Sequence, residues 1–181
     1  MLIRDRLLPY HSNLEHRDTA SLDLIVLHCT ELPTLEMAWE FGERILYPET
    51  KTGASGHFYI DLDGSVWRFV EEDRVARHVV GFNQASIGIE IVNAGRYPHW
   101  LGAGHQQMTE PYTGAQIKAL KELLASLRNR YPGLVKLARH SDLDTRLIPA
   151  EDDPSVQIRR RIDPGPLFPW VEILELWRTL G

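Results

Sequence analysis

At 181 residues, with 43% hydrophobic and 25% charged side chains, the chain can bury an apolar core and is excluded from the disordered class. Its 20 basic and 25 acidic residues leave a formal charge of −5, which argues against nucleic acid or any partner held mainly through phosphates. The single cysteine, Cys29, excludes an internal disulfide framework, and no run of about 18 apolar residues suggests a membrane span.

The N-terminal Met1-Leu2-Ile3-Arg4-Asp5-Arg6 mixes charges and lacks the apolar stretch and cleavage site of a secretory signal. The sequence as it stands therefore reads as cytoplasmic, although a periplasmic or secreted chain freed of its signal would read the same. Leu22 to Leu27 is nearly continuous apolar sequence, as in a central strand, and His28 follows at its expected end. Leu35 to Leu46 has helical spacing. Phe58-Tyr59-Ile60 and Val66-Trp67-Arg68-Phe69 are β-like runs around Asp63-Gly64, a turn signal, and predict a hairpin. Ile87 to Val92 predicts another strand, with the acid Glu90 set among apolar neighbours.

From Thr113 to Arg130, Thr113 and Gln116 match a capping box ahead of an Ile117, Leu120, Leu124, Leu127 stripe, which predicts a helix. An apolar segment, Leu134 to Leu137, precedes His140. The polar stretch Ser141 to Ile162 contains Pro149 and Pro154 and is expected to be a loop without regular structure. Leu167 to Leu180, after Asp163-Pro164-Gly165-Pro166, predicts a final helix. With no internal repeat and no linker, residues 1–181 read as a single α/β domain, a central mixed β-sheet flanked by helices. Nothing in the pattern specifies an oligomeric state.

Two histidines and a carboxylate satisfy a catalytic zinc site with three protein ligands and one open position. His28, His140 and Asp163 could form such a set. Composition alone does not select them from eight histidines and 25 acids, and no compact helical metal motif is present. A histidine beside an apolar run also serves as a core hydrogen-bonding residue.

The segments Leu22-Asp23-Leu24-Ile25-Val26-Leu27-His28, Gly56-His57-Phe58-Tyr59-Ile60-Asp61, Ser86-Ile87-Gly88-Ile89-Glu90, His140-Ser141-Asp142 and Asp163-Pro164-Gly165-Pro166 occur in an order that is specific in combination. In these segments the chain resembles the zinc-dependent N-acetylmuramoyl-L-alanine amidases, a family that also includes phage amidase-lysozymes and animal peptidoglycan-recognition proteins. The resemblance implies an amidase/peptidoglycan-recognition-protein-like fold and one zinc ion per chain on His28, His140 and Asp163. It also implies a peptidoglycan or muropeptide substrate cut between muramic acid and L-alanine. Glu90 falls where the bacterial enzymes carry a general base. Arg161 falls where many relatives carry a lysine that stabilises the oxyanion.

Gly56 stands where phage relatives carry a catalytic tyrosine, and Arg77-His78 stands in place of a common Trp-His pair. His57, His78 and Arg160 are candidate substrate contacts, Arg160 through bidentate pairing with a stem-peptide carboxylate. Cys29 reads as a packed small side chain. Two rival functions remain open from sequence: a peptidoglycan-binding receptor without turnover, against which the full ligand set speaks, and a zinc carboxypeptidase acting on the stem peptide.

Overall fold

The computed structural model describes residues 1–180. Six strands, β1 (Ile3–Asp5), β2 (Leu24–Cys29), β3 (Phe58–Ile60), β4 (Val66–Arg68), β5 (Ser86–Ile91) and β6 (Lys136–Arg139), form one sheet in the order β1-β4-β3-β5-β2-β6. Only the β3–β4 hairpin is antiparallel, so the sheet is mixed as the sequence predicts. The hairpin turns through Gly64 at φ +82°, a backbone conformation open to glycine at no steric cost. β1, pairing in parallel at the sheet edge, carried no readable signal: three residues are too few to display a period.

The two faces of the sheet follow from the period-two pleat. Ile25 and Leu27 of β2 and Ile87, Ile89 and Ile91 of β5 point to one face, where they join the buried core. That core is closed by α2 (Gly114–Arg130) through Leu120, Leu123, Leu124 and Leu127, and by α4 (Trp170–Thr179) through Ile173 and Trp177. Alternate residues, including Val26, His28, Gly88 and Glu90, point to the other face. There a second apolar cluster forms around Tyr59, Phe69 and Val70, covered by α1 (Leu35–Gly42) and the N-terminal segment at Leu8 and Tyr10.

Three expected boundaries move. α1 stops at Gly42 instead of Leu46, because the amides of Leu46 and Tyr47 both donate to the Thr52 carbonyl in a turn led by Pro48. α4 starts at Trp170, after Pro169, with Gly165 to Phe168 closing a turn before it. Ser141 to Ile162 is a correction: it holds the short helix α3 (His140–Leu143) at its start and an antiparallel pair, β7 (Leu147–Pro149) and β8 (Gln157–Arg159). The prolines do not prevent this, since Pro149 ends an isolated two-stranded ribbon where no inner ladder needs its missing N–H, and Pro154 lies in the connecting turn. Among the described residues no helix is long and apolar enough to cross a membrane.

α2 begins as its sequence predicts. Thr113 accepts from Gln116 N while the Gln116 side chain accepts from Thr113 N at 3.0 Å, and the Gln116 amide donates to the Val92 carbonyl at 2.7 Å. One fully buried side chain thus caps the helix and satisfies the backbone just past β5. Gln116→Ala should lower unfolding free energy by about 2 kcal/mol, from the lost cap plus one orphaned buried carbonyl. Urea denaturation at fixed pH measures this, and an unchanged midpoint would refute the linkage.

Candidate metal centre

The parallel register of β2 and β5 sets His28 opposite Glu90, both on the face away from the α2–α4 core. His28 is the fifth residue of the strand instead of lying just past it, and it is 2% exposed. β6 delivers His140 as the first residue of α3. Asp163 arrives from the segment after β8, and its carbonyl accepts from Ser141 N at 3.0 Å, tying the second and third residues of the group together. Tyr112 Oη donates to the adjacent Pro164 carbonyl at 2.6 Å.

These elements bring together His28 Nδ1, His140 Nδ1 and Asp163 Oδ2. The two nitrogens are 3.0 Å apart, and they lie 3.2 and 3.0 Å from the carboxylate oxygen. Donors about 2.0 Å from a tetrahedral zinc-like ion stand about 3.3 Å from one another, so the triangle has the size of three vertices of such a site. Hydrogen bonding alone serves it poorly: if both nitrogens donate to Asp163, their protons face each other. Asp163 Oδ1 is also buried without a hydrogen-bond partner. The residues therefore fit a small divalent cation, and all three are buried.

Protonation states favour the same use. Burial, with the His140 charge adding to it, lowers the His28 pKa to about 4, so its ring is neutral near pH 7. Burial opposes ionisation of Asp163, but the His140 and His28 rings set against it hold its carboxyl below the usual carboxylate range. Glu90 Oε1 lies 4.0 Å from His28 Nδ1, with 15% of its side chain exposed. Burial, and then the Asp163 charge, push the Glu90 pKa well up, while Arg161 opposes this. Gly56 leaves this acid room: a Cβ there would stand 2.9 Å from Glu90 Cγ.

Arg161 lines the same cleft of about 130 Å³, beside His28, Glu90, His140 and Asp163. It makes no ion pair among the described residues, and its buried Nε is without a partner. Cys29 is packed, and burial pushes its thiol pKa well up, so it holds no nucleophilic thiolate. A second cavity of about 260 Å³ shares Thr30, Glu31, Phe41 and Arg161 with the first and is lined further by Trp100 and Arg160.

Of the three expected substrate contacts, His57 lies outside the cleft, whereas His78 lines the first cavity and Arg160 the second. His57 is fully buried beneath the site: Nδ1 accepts from Gly88 N at 3.0 Å, and Nε2 lies 3.1 Å from the Arg74 carbonyl and 2.7 Å from Arg17 Nη2. His78 does border the cleft, but its two ring nitrogens are engaged by His28 and Ser86. Arg160 Nη1 is held by Asp144 at 2.6 Å, so its charge is already paired.

Two supports escaped sequence reasoning. Buried Arg17 donates to the carbonyls of Glu72, Asn83, Gln84 and Ser86, pinning the start of β5. Glu31, at φ +48°, accepts from Arg96 Nε at 2.6 Å and Nη2 at 2.9 Å, and the same guanidinium donates to the carbonyls of Arg159 and Arg160 at 3.2 Å. That pair fastens the segment carrying Arg161 to the end of β2. Its members are 65 residues apart, and no local signal marks either.

Comparison with known proteins places these features in context. The profile of the family described as N-acetylmuramoyl-L-alanine amidase, Amidase_2, matches residues 18–166. The endolysin of Klebsiella phage KP32 is 34% identical over 97 residues, which are 53% of this chain and 58% of the endolysin. N-acetylmuramoyl-L-alanine amidase AmiD of Escherichia coli strain K12 is 30% identical over 118 residues, 61% of this chain and 37% of AmiD. The chain thus spans less than two thirds of either relative. The fold is similar to that of AmiD in complex with the substrate anhydro-N-acetylmuramic acid-L-Ala-D-gamma-Glu-L-Lys, with TM-score 0.64 at 23% identity, over 86% of this chain and 57% of that one. It is also similar to a selenomethionine AmpD derivative, with TM-score 0.67 at 23% identity, over 96% and 93% of the two chains.

The buried histidines make the metal-free protein acid-sensitive. Burial lowers the pKa of His28 to about 4 and those of His57 and His78 well below 6.5, with Arg17 adding to the effect at His57 and His28 adding to it at His78. Each ring therefore binds a proton more readily unfolded than folded. Stability is lost as pH falls through the unfolded value of about 6.5, at up to about 1.4 kcal/mol per pH unit for each group. Chelator-treated protein should unfold at clearly lower urea at pH 5.5 than at pH 7.5; a flat profile would contradict the buried neutral state.

Proposed function

The chain belongs to the N-acetylmuramoyl-L-alanine amidase family, and from that premise we propose that residues 1–181 act as one zinc-dependent catalytic domain. Its substrate is the amide between muramic or anhydro-muramic acid and L-alanine in peptidoglycan fragments. The observation that carries this reading is the buried donor triangle of His28, His140 and Asp163, with edges of 3.0 to 3.2 Å, set beside Glu90. Zinc held by these residues supplies a Lewis acid that polarises the amide carbonyl and brings the pKa of water towards about 7.

The chain supplies the rest. Glu90, its pKa raised in a half-buried cleft, takes a proton from the attacking water on a carboxylate oxygen and returns it to the departing alanine nitrogen. Arg161, without a carboxylate partner among the described residues, offers its charge to the oxygen that becomes negative as the carbonyl turns tetrahedral. An arginine there presents a planar fork in place of a compact ammonium. The second cavity continues the cleft past Phe41 and is where the stem peptide extends. The segment that carries the β7–β8 ribbon borders it through Glu151, in the loop between the two strands, and Arg160, just after β8, where it influences the choice between intact wall and soluble muropeptide.

Incubation with a muramyl peptide followed by mass spectrometry tests the reaction. A new lactyl carboxyl group paired with a free alanine amine is expected. Release of D-alanine would indicate a carboxypeptidase instead, and saturable binding without product would indicate a receptor. Protein purified without added metal should carry about one zinc per chain.

Glu90→Gln keeps the shape of the side chain but removes its titrating group. It should retain the fold and zinc while losing about a hundredfold to ten-thousandfold in kcat. Near-normal turnover with zinc bound would make Glu90 a structural residue.

A further inference from the structure

His28 turns Nδ1 towards His140 and Asp163, which leaves Nε2 facing the protein interior. With the residue 2% exposed, an N–H at Nε2 needs an acceptor. The acceptor present is His78 Nδ1 at 3.0 Å, the two rings meeting at 86°. His78 Nε2 in turn lies 3.2 Å from Ser86 Oγ, and Ser86 Oγ donates to the Phe82 carbonyl at 2.7 Å.

The direction of this chain is set at its far end. A backbone carbonyl can only accept, so the single proton of the Ser86 hydroxyl is used on Phe82, and Ser86 must accept from His78. The proton on His78 is then at Nε2, its Nδ1 is the ring's acceptor, and His28 donates from Nε2. The remaining lone pair of His28, at Nδ1, is the one aimed into the donor triangle.

The scaffold around His78 is fixed as well. His78 N and Val79 N both donate to Asn83 Oδ1, at 3.0 and 2.8 Å. Gly88, next to Val26 in the sheet, makes room for the ring: a Cβ at that position would stand 2.6 Å from it.

We propose that His78 and Ser86 are positioning residues for the metal centre: the Phe82 carbonyl, Ser86 and His78 hold His28 in the tautomer that presents Nδ1 to the ion. The inference rests on the zinc reading above and adds to it the device that orients one ligand. Such outer partners are worth about tenfold to a hundredfold in metal affinity.

Zinc affinity of the metal-free protein, measured by competition with a chromophoric chelator, tests it without recourse to turnover. His78→Ala should weaken zinc binding by about tenfold to a hundredfold. His78→Asn, whose amide oxygen can take the place of Nδ1 as acceptor, should recover most of that loss, which a purely space-filling role does not predict. Ser86→Ala removes one oxygen and keeps the ring, and should fall between Ala and wild type; thermal melts of the metal-free variants verify folding. Wild-type affinity in His78→Ala, or in Ser86→Ala if His78→Ala does not fold, would overturn the proposal, as would an Asn variant no better than Ala. Wild-type protein that fails to bind zinc, or binds it no better than His140→Ala, would bring down the zinc reading itself and this inference with it.

Discussion

In the pairing of β2 with β5, one residue of register decides whether the site exists. Side chains alternate with a period of two, so a slip of β2 by one against β5 would send His28 into the apolar core and bring Leu27 to the cleft, leaving Glu90 without its histidine neighbour. The register is held on the core side by Ile25, Leu27, Ile87, Ile89 and Ile91, all fully buried against α2 and α4. The same hydrophobic interlock that stabilises the sheet therefore places a histidine nitrogen and a carboxylate 4.0 Å apart on its opposite face.

That opposite face gathers ionisable groups away from water, which is costly unless each finds a partner. The structure meets the cost with pairs of long sequence separation: Arg17 against four carbonyls and His57, and Glu31 against Arg96. Both also position chain. Arg17 fixes the entry into β5 four residues before Glu90, and Arg96 fixes the carbonyls of Arg159 and Arg160 just ahead of Arg161 and Asp163. Among the buried polar atoms left without protein partners, Asp163 Oδ1 and Arg161 Nε belong to residues that line the cleft.

What could be read in the sequence was what is local. The capping box at Thr113 and Gln116, the Asp63-Gly64 turn and the apolar runs of β2 and β5 depend on neighbours a few residues away, and each appears where its pattern puts it. Glu90 looked anomalous among apolar residues, and alternation explains it: it shares the cleft face with Ser86 and Gly88. The grouping of His28, His140 and Asp163 was legible only through resemblance, since spacings of 112 and 23 residues carry no local geometry. The fates of His57 and Arg160 were hidden for the same reason, their partners Arg17 and Asp144 being 40 and 16 residues away. The β7–β8 ribbon was masked by prolines that an inner strand would not tolerate but an isolated pair does.

The central claim is that His28, His140 and Asp163 together hold one zinc ion. Zinc K-edge X-ray absorption on the zinc-loaded protein reads that donor set directly. The account predicts nitrogen and oxygen scatterers only, at about 2.0 to 2.2 Å, with outer-shell scattering from two imidazoles. A sulfur shell at about 2.3 Å, drawn from Cys29, or a signal with fewer than two imidazoles would contradict it.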